Sequence, residues 1–164
     1  MSEAARTAAV ALLDLCRARS LMIATAESCT GGLVAACLTD VPGSSDVVDR
    51  GFITYSNSAK QAMLGVSSAV LERHGAVSRE TAEAMAQGAI AHSLADITVS
   101  VTGVAGPGGG SAEKPVGLVH FAAAARDGRL QHRAERFGDI GRGEIRAKSV
   151  LTALELLLVL AAGR

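Results

Sequence analysis

LMIATAESCTGG, residues Leu21 to Gly32, passes from an uncharged apolar run into a knot of small polar residues and a glycine pair. LMIAT has the length and composition of a short buried strand. The glycines allow a sharp turn before LVAACLT, an apolar run with helical spacing, so Gly31 is expected to open a helix. A strand running through a tight turn straight into a helix is the building unit of layered α/β folds. The same turn carries a chemical alternative. Ser28 or Thr30 can simply cap the helix. Otherwise Ser28 projects its hydroxyl above the sheet edge, as a nucleophile elbow does, beside N–H groups of Thr30, Gly31 and Gly32 that suit an oxyanion or a phosphate. GxSxG is absent, and Cys29, among apolar neighbours, reads as an inert packed thiol.

Working outward, residues 4–17 place Ala5, Ala8, Ala9, Leu12, Leu13 and Cys16 on one helical face. VVDRGFITYS (47–56) reads as a strand, with Asn57 or Ser58 able to cap the helix SAKQAML. Ser78 is positioned to cap the next helix, whose apolar face is Ala82, Met85, Ala86, Ala89 and Ile90. ITVSVTG (97–103) and VGLVHFAAAA are strands on either side of a glycine-rich loop. Asp127-Gly128 marks a hairpin into LQHRAERF, expected at an edge. A final helix begins near Arg142. The order α-β-α-β-α-α-β-β-β-α predicts one α/β domain with a mixed sheet, because the hairpin cannot be parallel.

Composition narrows the function. The chain has 164 residues, 49% hydrophobic and 20% charged, and its 16 basic and 16 acidic residues leave a formal net charge of zero. No global field favours nucleic acid, and no basic run supplies a local one. Aromatic residues make up 2%, so small aliphatic side chains must fill the core. A core of that kind buries less area per residue, and a homo-oligomer, a dimer or higher, is expected to supplement it. Three unpaired cysteines, no signal segment and no apolar run long enough to span a bilayer point to a cytoplasmic protein without membrane contact.

The four histidines carry no flanking catalytic pattern, so a Ser-His-Asp triad has no support. Lysine is the alternative base. There are three lysines, Lys60, Lys114 and Lys148, in a chain that otherwise uses arginine for positive charge. Lys60 follows five positions after Tyr55, the only tyrosine. A partly desolvated amine can serve as a base where a guanidinium cannot, and a nearby phenol can relay a proton. The bland alternative is a solvated lysine on a helix face. The third feature is TGVAGPGGG, from Thr102, whose glycines at a strand end can present N–H groups to a phosphate or carboxylate. It is neither a Walker loop nor GxGxxG opening a helix. Arg142 and Arg146, one turn apart, are rival phosphate ligands. No Cys/His cluster has metal-ligand spacing, so neither a metal nor another cofactor is expected.

AESCTGG, GFITYSNSAK and TGVAGPGGGSAEKPVGLV together resemble the CinA C-terminal domain family, the nicotinamide-mononucleotide amidases of bacterial pyridine-nucleotide recycling. The likeness extends over nearly the whole chain and implies a stand-alone domain without an additional N-terminal one. It implies a three-layer α/β/α sandwich with a mostly parallel sheet. It also implies metal-independent hydrolysis of the carboxamide of nicotinamide mononucleotide to nicotinate mononucleotide and ammonia. By resemblance, Ser28 is the candidate nucleophile and Tyr55 and Lys60 the neighbouring polar pair. Thr102, Gly103, Ala105, Gly106 and Gly108 belong to the substrate-holding loop, with Arg142 on the phosphate. One departure stands out: relatives read roughly F-x-G-D-R, whereas here FGDIGR puts the first arginine two places later, at Arg142. The alternative from another class is a non-catalytic nucleotide-binding or interaction module of the competence or damage-inducible type.

Overall fold

The structure, a computed structural model, describes residues 2–163. Helix α1 (Glu3–Arg19) is capped by Ser2, whose hydroxyl accepts from the Ala5 N–H, and ends where Ser20 turns left-handed at φ 53°. Its face of Ala5, Ala9, Leu12, Leu13 and Cys16 is buried, as the spacing predicts. Strand β1 (Ile23–Glu27) is buried along its whole length, and α2 (Leu33–Thr39) follows. Gly31 does not open that helix: Gly31 and Gly32 both take left-handed φ, 59° and 99°, and form the turn that precedes it.

Strand β2 (Val48–Ile53) is shorter than its sequence suggests. Ser56, not Asn57 or Ser58, caps α3 (Asn57–Leu64) through a bond from the Ala59 N–H. Ser58 instead shares its hydroxyl with Ser56 at 2.8 Å. Helix α4 (Ser68–His74) is absent from the expected order, since seven residues are too few to show a period; α5 (Arg79–Ala91) follows, capped by Ser78 as expected. Strands β3 (Ile97–Gly103), β4 (Leu118–Ala125) and β5 (Leu130–Arg136) and helix α6 (Arg142–Ala161) complete the chain.

The sheet order is β2-β1-β3-β4-β5. β1 pairs in parallel with β2 and β3, while β4 runs antiparallel to both β3 and β5, so β4 alone is reversed. One sheet face, with Ile97, Val99, Val101, Val119 and Phe121, packs on α1, α2 and α6. The other, with Ala24, Ala26, Ala122 and Ala124, packs on the α3–α5 side. This is an α/β/α sandwich with a mixed, mostly parallel sheet. No helix of the described residues is long and apolar enough to cross a membrane.

Chain direction locates the site. The connection from β1 to β2 uses α2 on one face, and that from β2 to β3 crosses by α3–α5 on the other. The carboxyl ends of β1 and β3 therefore flank a topological switch point, the crevice in which α/β sheets bind ligands. A ladder of hydroxyls holds α5 beside it. Thr98 Oγ1 donates to the Ala86 carbonyl (2.8 Å), Ser100 Oγ to Ala82 (2.6 Å) and Thr102 Oγ1 to Ala76 (2.7 Å). These residues alternate along β3, so all three face α5.

Small residues permit close approach, as the aromatic-poor composition requires. At Gly88 in α5, a Cβ would collide with the backbone carbonyl of Leu64 at the end of α3. Gly88→Ala is expected to destabilise the protein by about 1–3 kcal/mol through overpacking, measured as a lower midpoint in urea with an unchanged m-value.

Candidate active site

The crevice at the switch point is a cleft of about 290 Å³. Its walls come from the turn after β1, the segment after β2, the start of α3, the loop before α5, the loop after β3 and the start of α6. A larger groove of about 570 Å³, between α1, α2 and α6, includes neither Ser28 nor Lys60.

Ser28 lines the cleft one residue beyond β1, where its N–H still donates to the Val101 carbonyl at 2.9 Å and so holds it to the sheet. Lys60, in the first turn of α3, is 1% exposed. Its Nζ lies 3.0 Å from Ser28 Oγ and donates to the Thr54 carbonyl at 2.9 Å. That carbonyl is itself fixed, because the Thr54 N–H donates to the Glu27 carbonyl at 2.8 Å. Burial pushes the Lys60 amine below the ordinary lysine value of 10.5, with Cys29 acting in the opposite sense. An amine shifted in this direction, at hydrogen-bond distance from a hydroxyl, has the arrangement that base-assisted nucleophiles use.

Tyr55 also lines the cleft, but it is 61% exposed and its hydroxyl accepts from Arg142 Nη2 at 2.9 Å rather than meeting Lys60. Arg142 additionally donates from Nη1 to the Gly106 carbonyl at 2.9 Å, bridging the glycine-rich loop to the tyrosine. Arg146, the rival, does not line this cleft; its Nε and Nη2 donate to the carbonyls of Cys29 (3.2 Å) and Thr30 (3.0 Å). Geometry thus puts Arg142 in the cleft and Arg146 behind the turn. Gly103, Ala105, Gly106 and Gly108 line the cleft as expected. Thr102 does too, although its hydroxyl is engaged by Ala76. Gly103 admits no side chain, since a Cβ there would lie 2.8 Å from the Leu118 carbonyl.

The expected row of N–H donors is not available. The Gly31 N–H donates to the Ser28 carbonyl (3.1 Å) and the Gly32 N–H to Glu27 Oε2 (3.0 Å), and neither residue lines the cleft. Thr30 is fully buried behind them. Cys29, directly after the serine, does line the cleft. Two cleft residues lie outside the sequence motifs, Ala76 and Val77, and Asn57 lies inside one without having been assigned to the site. Ala76 and Val77 arrive because Thr102 tethers their loop, a contact no local pattern announces. Glu27 is the other omission; a carboxylate inside a buried strand was its only signal.

None of the four histidines lines the cleft; His120 and His132 pair with each other at 3.0 Å between β4 and β5. The fold and the site together define an α/β protein with a serine beside a buried lysine at its switch point. The chain belongs to the CinA C-terminal domain family, whose model matches residues 5–161. The nicotinamide-nucleotide amidohydrolase PncC of Enterobacter agglomerans is 48% identical over 87% of this chain and 86% of its own length. A CinA-like protein of Synechococcus sp. (strain RCC307) is 54% identical over 89% of this chain. The chain spans only 35% of that relative, and 28% of a putative competence-damage inducible protein from Caldicellulosiruptor bescii. The solved competence/damage inducible protein CihA from Agrobacterium tumefaciens matches with a TM-score of 0.96 at 55% identity, covering 98% of this chain and 97% of that one.

Cys29 competes poorly as a nucleophile. Burial pushes its thiol up to about 11, and it is 6% exposed. Cys16 is likewise buried and pushed up to about 11. The native protein is expected to react with a colorimetric disulfide reagent at pH 8 far more slowly than the denatured chain; rapid labelling of Cys29 in the native state would put the thiol back in contention.

Proposed function

We propose that the protein hydrolyses the carboxamide of nicotinamide mononucleotide, giving nicotinate mononucleotide and ammonia, with Ser28 as nucleophile and Lys60 as its base. The observation that carries this is the 3.0 Å approach of a fully buried lysine amine to a serine hydroxyl at the cleft. The activity named for the PncC relative supplies the substrate.

Neutral Lys60 takes the proton as Ser28 Oγ bonds to the amide carbon. The Ser28 carbonyl accepts from the Gly31 N–H, so the trans peptide turns the Cys29 N–H the opposite way, toward the developing oxyanion. Collapse of the tetrahedral intermediate breaks the C–N bond, and Lys60 returns its proton to the departing nitrogen, which leaves as ammonia. Water then adds to the serine ester, giving one proton to Lys60. The C–Oγ bond breaks, the acid departs and that proton restores the Ser28 hydroxyl. Arg142, with Tyr55, faces the phosphate or ribose, while the loop from Gly103 shapes the pocket around them. Binding the remote nucleotide part holds the amide over Ser28. Tyr55 therefore orients substrate through Arg142 and takes no part in the serine's proton transfer.

Ammonia release from nicotinamide mononucleotide tests this. Ser28→Ala is expected to abolish it. Lys60→Arg, whose guanidinium cannot lose its proton, should lower kcat roughly 100- to 10,000-fold. The base works only when neutral, so wild-type kcat should fall as pH drops through the Lys60 pKa, below 10.5, and level off above it. Undiminished turnover in Lys60→Arg would remove the lysine from the mechanism.

A further inference from the structure

The turn from Ser28 to Gly32 is gripped by two charged groups, one on its N–H groups and one on its carbonyls, that do not line the cleft. Glu27 is completely buried. Its carboxylate accepts from Thr25 Oγ1 (3.2 Å) and from the N–H groups of Gly32 (3.0 Å), Val34 (3.0 Å) and Ala35 (2.8 Å). Those three N–H groups are the donors that the start of α2 would otherwise offer to an anion. An internal carboxylate occupies them, so the start of α2 is part of the scaffold. Arg146 on α6 donates to the carbonyls of Cys29 and Thr30.

Each grip constrains peptide orientation. In a trans peptide the C=O and the following N–H point in opposite directions. Holding the Cys29 carbonyl on Arg146 therefore sets the direction of the Thr30 N–H. Drawing Gly32 onto Glu27 tightens the turn in which the Gly31 N–H meets the Ser28 carbonyl, and this aims the Cys29 N–H. Among the described residues, neither charge has an ion-pair partner: Glu27 has no cation within 4.0 Å and Arg146 no carboxylate. Both serve the backbone of the nucleophile turn.

We propose that Glu27 and Arg146 are positioning residues for the hydrolysis, acting as a two-part clamp, one on N–H groups and one on carbonyls, that sets the direction of the Ser28 hydroxyl and of the N–H beside it without touching substrate. This rests on the serine-amidase reading, and the test separates the two. Glu27→Gln leaves the size unchanged but presents an NH₂ to donors that need an acceptor. Arg146→Lys keeps the charge but replaces a planar fork by a point donor unable to hold both carbonyls. Three quantities are measured for each: kcat and KM for ammonia release from nicotinamide mononucleotide, the rate at which a small fluorophosphonate labels Ser28, and the thermal midpoint.

Both variants are expected to lower kcat and the labelling rate by roughly 10- to 100-fold, as small misplacements of reacting groups do. KM should move by less than about 3-fold, because the lost alignment matters only in the transition state. A lower thermal midpoint with unchanged kcat and labelling would overturn the proposal and leave the pair merely structural. A raised KM with unchanged kcat and labelling would overturn it for Arg146 and assign that residue to the substrate. If the wild type is labelled at Ser28 but releases no ammonia, the substrate reading fails, and relative labelling rates still decide the clamp. A wild type not labelled at Ser28 overturns both. Should Glu27→Gln fail to fold, Arg146→Lys decides alone.

Discussion

The contact between Lys60 and Ser28 is the constraint around which this end of the molecule is built. An amine that is 1% exposed and has only a hydroxyl and a carbonyl for partners is costly to keep charged. No carboxylate lies within ion-pair range of it among the described residues. Burial therefore shifts the amine toward the neutral form, the one that can receive a proton. The geometry is stiff because the partners are tied to one another. Ser28 is bonded to β3, Thr54 to the last residue of β1, and Lys60 to both sides of that seam.

Topology turns this local pair into a site. With β1 between β2 and β3, the turn carrying Ser28 and the glycine-rich loop after β3 open onto the same crevice, and α3 brings Lys60 under it. The hydroxyls of Thr98, Ser100 and Thr102 anchor α5 and its preceding loop at fixed height above the sheet. Close helix contacts such as Gly88 against Leu64 depend on the absence of side chains, which is why a core so poor in aromatic residues still packs.

Much of this was legible in the sequence, for identifiable reasons. The face of α1, the run LMIAT and the Asp127-Gly128 hairpin follow from periodicity and turn chemistry, both local properties. Scarcity made Lys60 and Tyr55 conspicuous. What local patterns could not carry were the choices between competing partners. The donors of Gly31 and Gly32 suited an oxyanion on paper, yet a buried carboxylate one strand position before Ser28 took Gly32, and the turn itself took Gly31. Tyr55 stood near Lys60 in sequence, but the start of α6 offered its hydroxyl an arginine. Arg142 and Arg146 were indistinguishable until the fold set one in the cleft and the other on the turn's carbonyls.

The protonation of Lys60 is the most direct test of the account. With three lysines in the chain, selective ¹³C labelling of the lysine ε-carbons gives three resonances whose titration can be followed by NMR and assigned by replacing Lys114 and Lys148 with arginine. The expected result is that the Lys60 signal titrates below the ordinary lysine value of 10.5. A Lys60 signal that titrates at or above that value would mean the amine stays charged at neutral pH, and Lys60 and Ser28 would not be the base and nucleophile described here.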